Sequence, residues 1–455
     1  MKCLSPLWVA FGGLITIFLL PASTLSASTL SAQSLDKATL LFSMQGSNTI
    51  GEKLAPALVE QYLKEIGAQE TMVVNTQEVE KSVIGLFADD SIKAVEIKAH
   101  GSSTGFTALE ANDTDIAMSS RRIKDKERDL LLAQHGDLKS FDNEYTLAVD
   151  GLAVIVHPSI NIKQLDTHQL AQIFSGKIHN WKQLGGEDQR ISVFARDEKS
   201  GTFDTFKSLV LKRHQVKLID NAKRYESSGE LSTMVSITPG AIGFVALPYV
   251  NQAKTVAVSE QGVALSFLPN VFTVSTEDYV LGRRLYLYFP SNNNNQYARQ
   301  FVEFVLQQKA QQIVEKTGLV SLNVNDATIR FNRNYPARYL NMISDSKRLS
   351  ITFHFDENTH LLDNKAQRDI SRLVQYIQNH NLKDLFLFGF SSDSGDAAYD
   401  KELSKKFSRL IEAKLVERGI TPFYVSGFGH KGAIASNSTV NGRNKNRRVE
   451  VWVGK

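Results

Sequence analysis

The chain has 455 residues, with 52 Lys and Arg against 48 Asp and Glu, a formal net charge of +4. At 42% apolar and 22% charged residues it is too rich in core-forming side chains for a disordered protein, and its charge is too small to mark a nucleic-acid binder. A single cysteine, Cys3, excludes a disulfide framework and any multi-cysteine metal site, and the length predicts two or three domains.

Residues 1–32 read as an export signal. Lys2 precedes an uncharged run, Leu7 to Leu20, of 14 residues, which is short for a membrane span and right for a signal core. A tandem STLSA-STLSA follows, with small-x-small cleavage sites ending at Ala27 and Ala32, and the second is the preferred one. An uncleaved anchor is the alternative. Cys3 lies ahead of the apolar run, so cleavage removes it and it cannot carry a mature lipid. The expected location is the periplasm, in association with the cell wall or outer membrane.

From about Leu35 to Asn325, strands alternate with helices. Thr39–Met44 is an apolar strand, a polar turn follows at Gly46, and Leu54, Leu58 and Tyr62 then repeat at helical spacing. The same grammar returns at Val95–Ala99 with Gly101–Gly105, and at Ile191–Ala195 with Arg196–Ser200, where Phe203, Phe206 and Val210 form a helix face. This spacing predicts parallel α/β layers. Tyr297 to Lys316 reads as one amphipathic helix, and the polar stretch 326–349 as a linker. A second unit, 350–455, has strands at Ile351–Phe355, Leu385–Phe390, Phe423–Gly427 and Val449–Val453 and helices at Leu362–Gln378 and Ala397–Arg418, an α+β domain.

Three turns, GSNTIG, GSSTGF and RDEKSGTF, each join a strand to a helix. Such turns present unpaired N–H groups and small hydroxyl donors, and Arg196 adds a forked cation, a chemistry suited to a tetrahedral oxyanion. For one turn alone, simple helix capping would explain the hydroxyls. Three turns with an arginine favour a ligand.

Residues 38–325 resemble the phosphate-binding proteins of ABC transporters, through Gly46–Gly51, Gly101–Gly105, Asp115–Arg121 (DIAMSSR), Ile173–Leu184, Arg196–Phe203, Gly229–Pro248 and Thr276–Phe289. The resemblance implies a two-lobed α/β type II periplasmic binding-protein fold, with one lobe at 38–147 and 273–325 and the other at 150–262. Hinges are expected near Ala148–Leu152 and Leu265–Thr273. It also implies an anion site lined by Ser47 or Thr49, Ser102 or Ser103, Arg196, Ser200, Gly201 and Thr202, and an ABC permease as partner. Where well-known members carry an aspartate that accepts the proton of hydrogen phosphate, this chain has Ser120, followed by Arg121 and Arg122. A carboxylate repels sulfate and a serine does not, so the ligand is phosphate or a related inorganic oxyanion.

Residues 350–455 resemble a small α+β OmpA-like domain that binds peptidoglycan, through Phe353–Phe355, Gly389–Leu403, Gly427–Gly429 and Asn446–Val453. The resemblance implies an aspartate and an arginine gripping diaminopimelate, but the matching positions are Ser392 and Phe407. Asp393 and Arg409 lie one and two residues away, and two residues on a helix is a turn of ~200° to the opposite face. Asp393, Arg447 and Arg448 are the candidate wall contacts, with Lys405, Lys406, Arg443 and Lys445 as a weaker basic face. Residues 351–455 hold 16 Lys and Arg against 12 Asp and Glu, which accounts for the whole +4.

Two motifs mimic enzymes. Gly101–Gly105 fits G-x-S-x-G, with Ser103 as nucleophile, but no HGGG-type loop precedes it. Gly427–Gly432 fits G-x-G-x-x-G, but a turn-rich stretch follows where a helix is needed. Neither a cofactor, a metal nor an enzymatic activity is expected. The combined reading is a phosphate-type binding protein tethered to the envelope, and its alternative is a structural envelope protein whose first domain has lost its ligand.

Overall fold

The strand–helix alternation builds one eleven-stranded sheet that runs through two lobes. The computed structural model describes Met1 and residues 30–198, 200–329, 335–356 and 361–454, so most of the predicted export segment lies outside the described residues. Leu30 is buried beside Ile84, Leu86 and Ala94, and its N–H donates to Glu70. Leu30 lies ahead of the boundary expected after Ala32, and the alternative site at Ala27 lies outside the described residues.

In the first lobe, Thr39–Gly46 lies between Ile92–Lys98 and Ile116–Ser119, parallel to both. The antiparallel hairpin Ala68–Gln77/Glu80–Phe87, which the sequence pattern did not separate, extends this edge. The helix Leu54–Glu65 buries the expected Leu54, Leu58 and Tyr62 against Phe42 and Phe301. The predicted helix Tyr297–Lys316 is two helices, Gln296–Phe304 and Gln308–Lys316.

The strand Glu144–Val156 carries the chain between lobes. Its first part pairs antiparallel with Gly282–Tyr288, and Leu152–Val156 pairs with Ala241–Ala246. All of its residues are buried. At Gly151 an added Cβ would come within 2.6 Å of Val274, so the hinge approaches its neighbour too closely for any side chain. The return crossing differs from the expected Leu265–Thr273. Val274, Tyr279, Val280 and Leu281 still pack in the second core, and Leu285 and Leu287 in the first, so the lobes change hands at Gly282–Arg284. The helix Val271–Ser275, capped by Asn270, is what keeps the chain in the second lobe past residue 273.

The described parts of the expected linker are folded. Asp326–Ala327 pairs with Arg348 and Leu349, and the helix Ala337–Ile343 buries Tyr339 and Ile343 against Phe388, Phe390 and Trp452. These apolar residues are interspersed with charges, which hid the pattern. With Ser346–His354, Arg448–Gly454, Leu385–Phe390 and Tyr424–Gly427 they form a five-stranded sheet backed by the helices Asn364–His380 and Ala397–Val416.

This C-terminal domain is seated on both lobes. On the first, Asn364 donates to the Lys139 carbonyl and to Glu144, and Arg368 donates to the Glu144 carbonyl and stacks on Phe141 and Tyr145. On the second, the fully buried Arg348 pairs with Asp278 at 2.5 Å, and the Ser436 N–H donates to Glu260 at 2.7 Å. At the centre, Arg284 pairs with Glu277 and Asp363 at 2.9 and 2.7 Å.

His354 is buried beside this cluster, and neither ring nitrogen has a hydrogen-bond partner. Burial pushes its imidazole down to about 4; Glu277 and Asp363 oppose the shift, whereas Arg284 and Lys365 reinforce it. The folded value lies below that of a free imidazole, so the unfolded chain takes up the proton first as pH falls. This contribution is fully present above about pH 6.5 and is lost progressively toward pH 4. Urea unfolding of the wild-type chain should lose up to about 3 kcal/mol more between pH 7 and pH 4 than His354→Leu loses; equal slopes would assign the pH dependence elsewhere.

Candidate anion-binding cleft

Parallel pairing sets the first wall of the cleft. Register matches Gln45 with Lys98 and Gly46 with Met118, so three strands end together and their turns share one edge. The Gly101 N–H donates to the Gly46 carbonyl at 2.7 Å, and the Ser47 N–H to the Met118 carbonyl at 2.9 Å. A Cβ on Gly46 would stand 2.0 Å from that carbonyl oxygen, and φ there is +135°, so the turn requires glycine. Ser102 Oγ lies 3.2 Å from Ser120 Oγ and accepts from the Ser120 N–H. Ser47 Oγ is buried with no hydrogen-bond partner.

The second wall comes from the other lobe. Ser200 caps the helix Gly201–Phe206, its Oγ accepting from the Thr202 N–H at 3.2 Å. Arg196 ends the strand Ser192–Arg196; its guanidinium donates to the Tyr225 and Glu226 carbonyls and to Ser228 Oγ. The walls meet at Gly201, where a Cβ would lie 2.9 Å from Thr49 Oγ1. Between the walls lies a cavity of about 340 Å³, lined by Thr49, Asp150, Arg196, Ser200, Gly201, Thr202 and Ser228, among others.

Thr49, Arg196, Ser200, Gly201 and Thr202 thus share one cavity. Ser47, Ser102 and Ser120 stand on the adjoining strand edge, outside its lining, and Ser103 is exposed. Ser103 Oγ accepts from Arg121, which is itself paired with Glu127; a guanidinium is no general base, so this geometry does not build a hydrolase dyad. Arg122 pairs with Glu144 at 2.8 Å. Both arginines beside Ser120 are therefore engaged in ion pairs.

Two residues escaped sequence reasoning. Asp150, on the hinge strand, accepts from Thr205 Oγ1 at 2.9 Å and pairs with Arg283 at 3.3 Å. Arg283 also donates to Thr49 Oγ1 at 2.9 Å and lies 3.6 Å from Asp204, so it touches both walls. The available signal was Arg283-Arg284 opening an otherwise apolar strand. Removing one partner of a buried pair leaves the other charge uncompensated. Arg283→Met should therefore lower the unfolding free energy by about 3 kcal/mol in urea titrations, and Asp150→Asn in that background should recover part of the loss.

In the C-terminal domain the expected wall contacts separate. Ser392 is buried and accepts from Arg447 Nε at 2.9 Å; Phe407 stacks on Phe355, with ring centroids 4.2 Å apart, while Arg409 faces outward. Arg448 is fully buried in an ion pair with Glu450 at 2.8 Å, so it is a core residue and no wall contact. Lys445 sits beside Glu260 of the second lobe; burial pushes its ammonium down, against the attraction of that carboxylate. Asp393 is exposed and approaches Asp400 and His430, all within 4.8 Å, a grouping not foreseen; His430 Nδ1 lies 2.6 Å from the buried Asp400 carboxylate.

The PBP superfamily domain model matches residues 68–309, more than half of the chain, and the chain belongs to this superfamily. Residues 354–447 match the OmpA family. The phosphate-binding protein PstS of Borreliella burgdorferi is 28% identical over 233 residues, covering 50% of this chain and 80% of that one. The protein of the same name in Bacillus subtilis is 33% identical over 190 residues, 41% of this chain and 57% of that one. A solved structure of a possible phosphate binding protein from Planctomyces limnophilus aligns with a TM-score of 0.50 at 21% identity, over 63% of this chain and 93% of that one, and shows the shared fold.

Proposed function

We propose that the chain captures inorganic phosphate in the cleft between its lobes, outside the cytoplasm, without chemical conversion, and that the C-terminal domain holds it at the cell envelope. The observation that carries this reading is the meeting of hydroxyl and amide donors from two lobes around Arg196 in one cavity. Its similarity to phosphate-binding proteins points the same way. Residues 33–325 serve as the capture module, with Ser47, Ser102, Ser103 and Ser120 joining the anion shell from the first wall. Ser47 Oγ, buried and unpartnered, is a donor in need of an acceptor. Export rests on Lys2 and the apolar run Leu7 to Leu20 in the segment 1–32, and delivery to an ABC permease on the family resemblance.

The C-terminal domain supplies retention. Its peptidoglycan contact relies on the exposed Asp393, because Ser392 and Phe407 replace the charged pair that would grip diaminopimelate and Arg447 is buried, donating to Ser392. No observation favours a structural protein without a ligand.

Titration calorimetry with inorganic phosphate should give saturable binding that Arg196→Ala weakens severely. In thermal or urea unfolding, phosphate at 100 times its dissociation constant should add about 2.7 kcal/mol. Unchanged affinity in Arg196→Ala would remove this cleft as the site, and stabilisation by sulfate equal to that by phosphate would make Ser120 the mark of an unselective oxyanion site.

A further inference from the structure

Two consecutive residues of the crossing strand face opposite ways. Arg283 points into the cleft, bonded to Thr49 of the first lobe and Asp150 of the hinge, and near Asp204 of the second lobe. Arg284 points to the back and pairs with Glu277 and with Asp363, the cap of the first long helix of the C-terminal domain. One rigid strand thus carries the closing contact on one side and the domain's seat on the other. Further anchors of the domain straddle the same hinge, among them Asn364 and Arg368 on the first lobe and Arg348 and Ser436 on the second. Rotation of one lobe against the other must change the spacing between these anchors. In the structure the seated domain coincides with contact between the two walls of the cleft, Gly201 lying against Thr49.

We propose that seating of the C-terminal domain and closure of the cleft are one coupled equilibrium, transmitted by Arg283 and Arg284. The seated domain raises the affinity for the anion, and by reciprocity the anion tightens the seat. The inference rests on the reading of the cleft as a phosphate site and goes beyond it: the domain that tethers the protein also tunes its capture, so force or a wall contact that unseats the domain releases ligand.

The test uses the full chain. Phosphate calorimetry compares wild type with Arg284→Met and Arg368→Ala, which loosen the seat without entering the cleft, and with Lys383→Ala at an exposed position as control. The two seat variants should raise the dissociation constant at least about five-fold, and the control should leave it unchanged. Hydrogen exchange of the wild type supplies a readout that needs no variant: phosphate should slow amide exchange in Asn364–His380. Wild-type affinity in both folded seat variants, or exchange in that helix indifferent to phosphate, would overturn the coupling alone. Failure of the wild-type chain to bind phosphate would overturn the functional reading, and the coupling with it.

Discussion

The strand Glu144–Val156 belongs to both lobes at once, and the remainder of the molecule is arranged around that fact. Its residues are buried from end to end, so it cannot bend freely without exposing backbone groups on one side or the other. Its neighbour Gly282–Tyr288 runs antiparallel across the same boundary, which leaves rotation about this pair as the motion available to the lobes. The contact between the lobes lies close to that axis: Asp150 on one strand, Arg283 on the other, and Thr49 within reach of the guanidinium.

The cleft itself depends on parallel register. Three strands ending together bring together turns that are far apart in sequence, and the second lobe presents Arg196 and Ser200 to them. Charge adds little to this at long range, because the first 350 residues hold 36 basic and 36 acidic side chains. Attraction for an anion must then come from oriented donors at short distance, each strengthened where it is withdrawn from bulk water. Ser120 fits that economy, bonded to Ser102 with its neighbours Arg121 and Arg122 already neutralised by Glu127 and Glu144.

Much of this was legible because the relevant signals are local. The Leu54, Leu58, Tyr62 face and the three strand–turn–helix units declare themselves within a few residues, and so do the strands Leu385–Phe390 and Arg448–Gly454. What escaped depends on distant partners. Arg283 reads as one of two basic residues at a strand start until Asp150, 133 positions away, supplies its pair. The hairpin Ala68–Gln77/Glu80–Phe87 carries exposed and half-buried residues on its outer strand, which blurs the alternation. The segment 326–349 looked like a linker because Tyr339 and Ile343 bury only against strands from the end of the chain. Arg448 looked like a surface cation because nothing nearby shows that Glu450 would be buried with it on the same strand.

A folded segment in place of a linker changes what tethering means. A flexible leash would leave the capture domain free to tumble, whereas Arg348–Asp278 and Arg284–Asp363 fix its orientation to the C-terminal domain. Buried ion pairs of this kind are weak evidence for stability, since desolvation offsets most of their attraction. What they supply is geometry: charges withdrawn from water tolerate only the arrangement that pairs them, so Asp278, Glu277 and Asp363 admit one seating of the domain and penalise its neighbours. Basic side chains of the C-terminal domain are accordingly spent partly inward, Arg348 on Asp278 and Lys365 on Glu277 of the lobes.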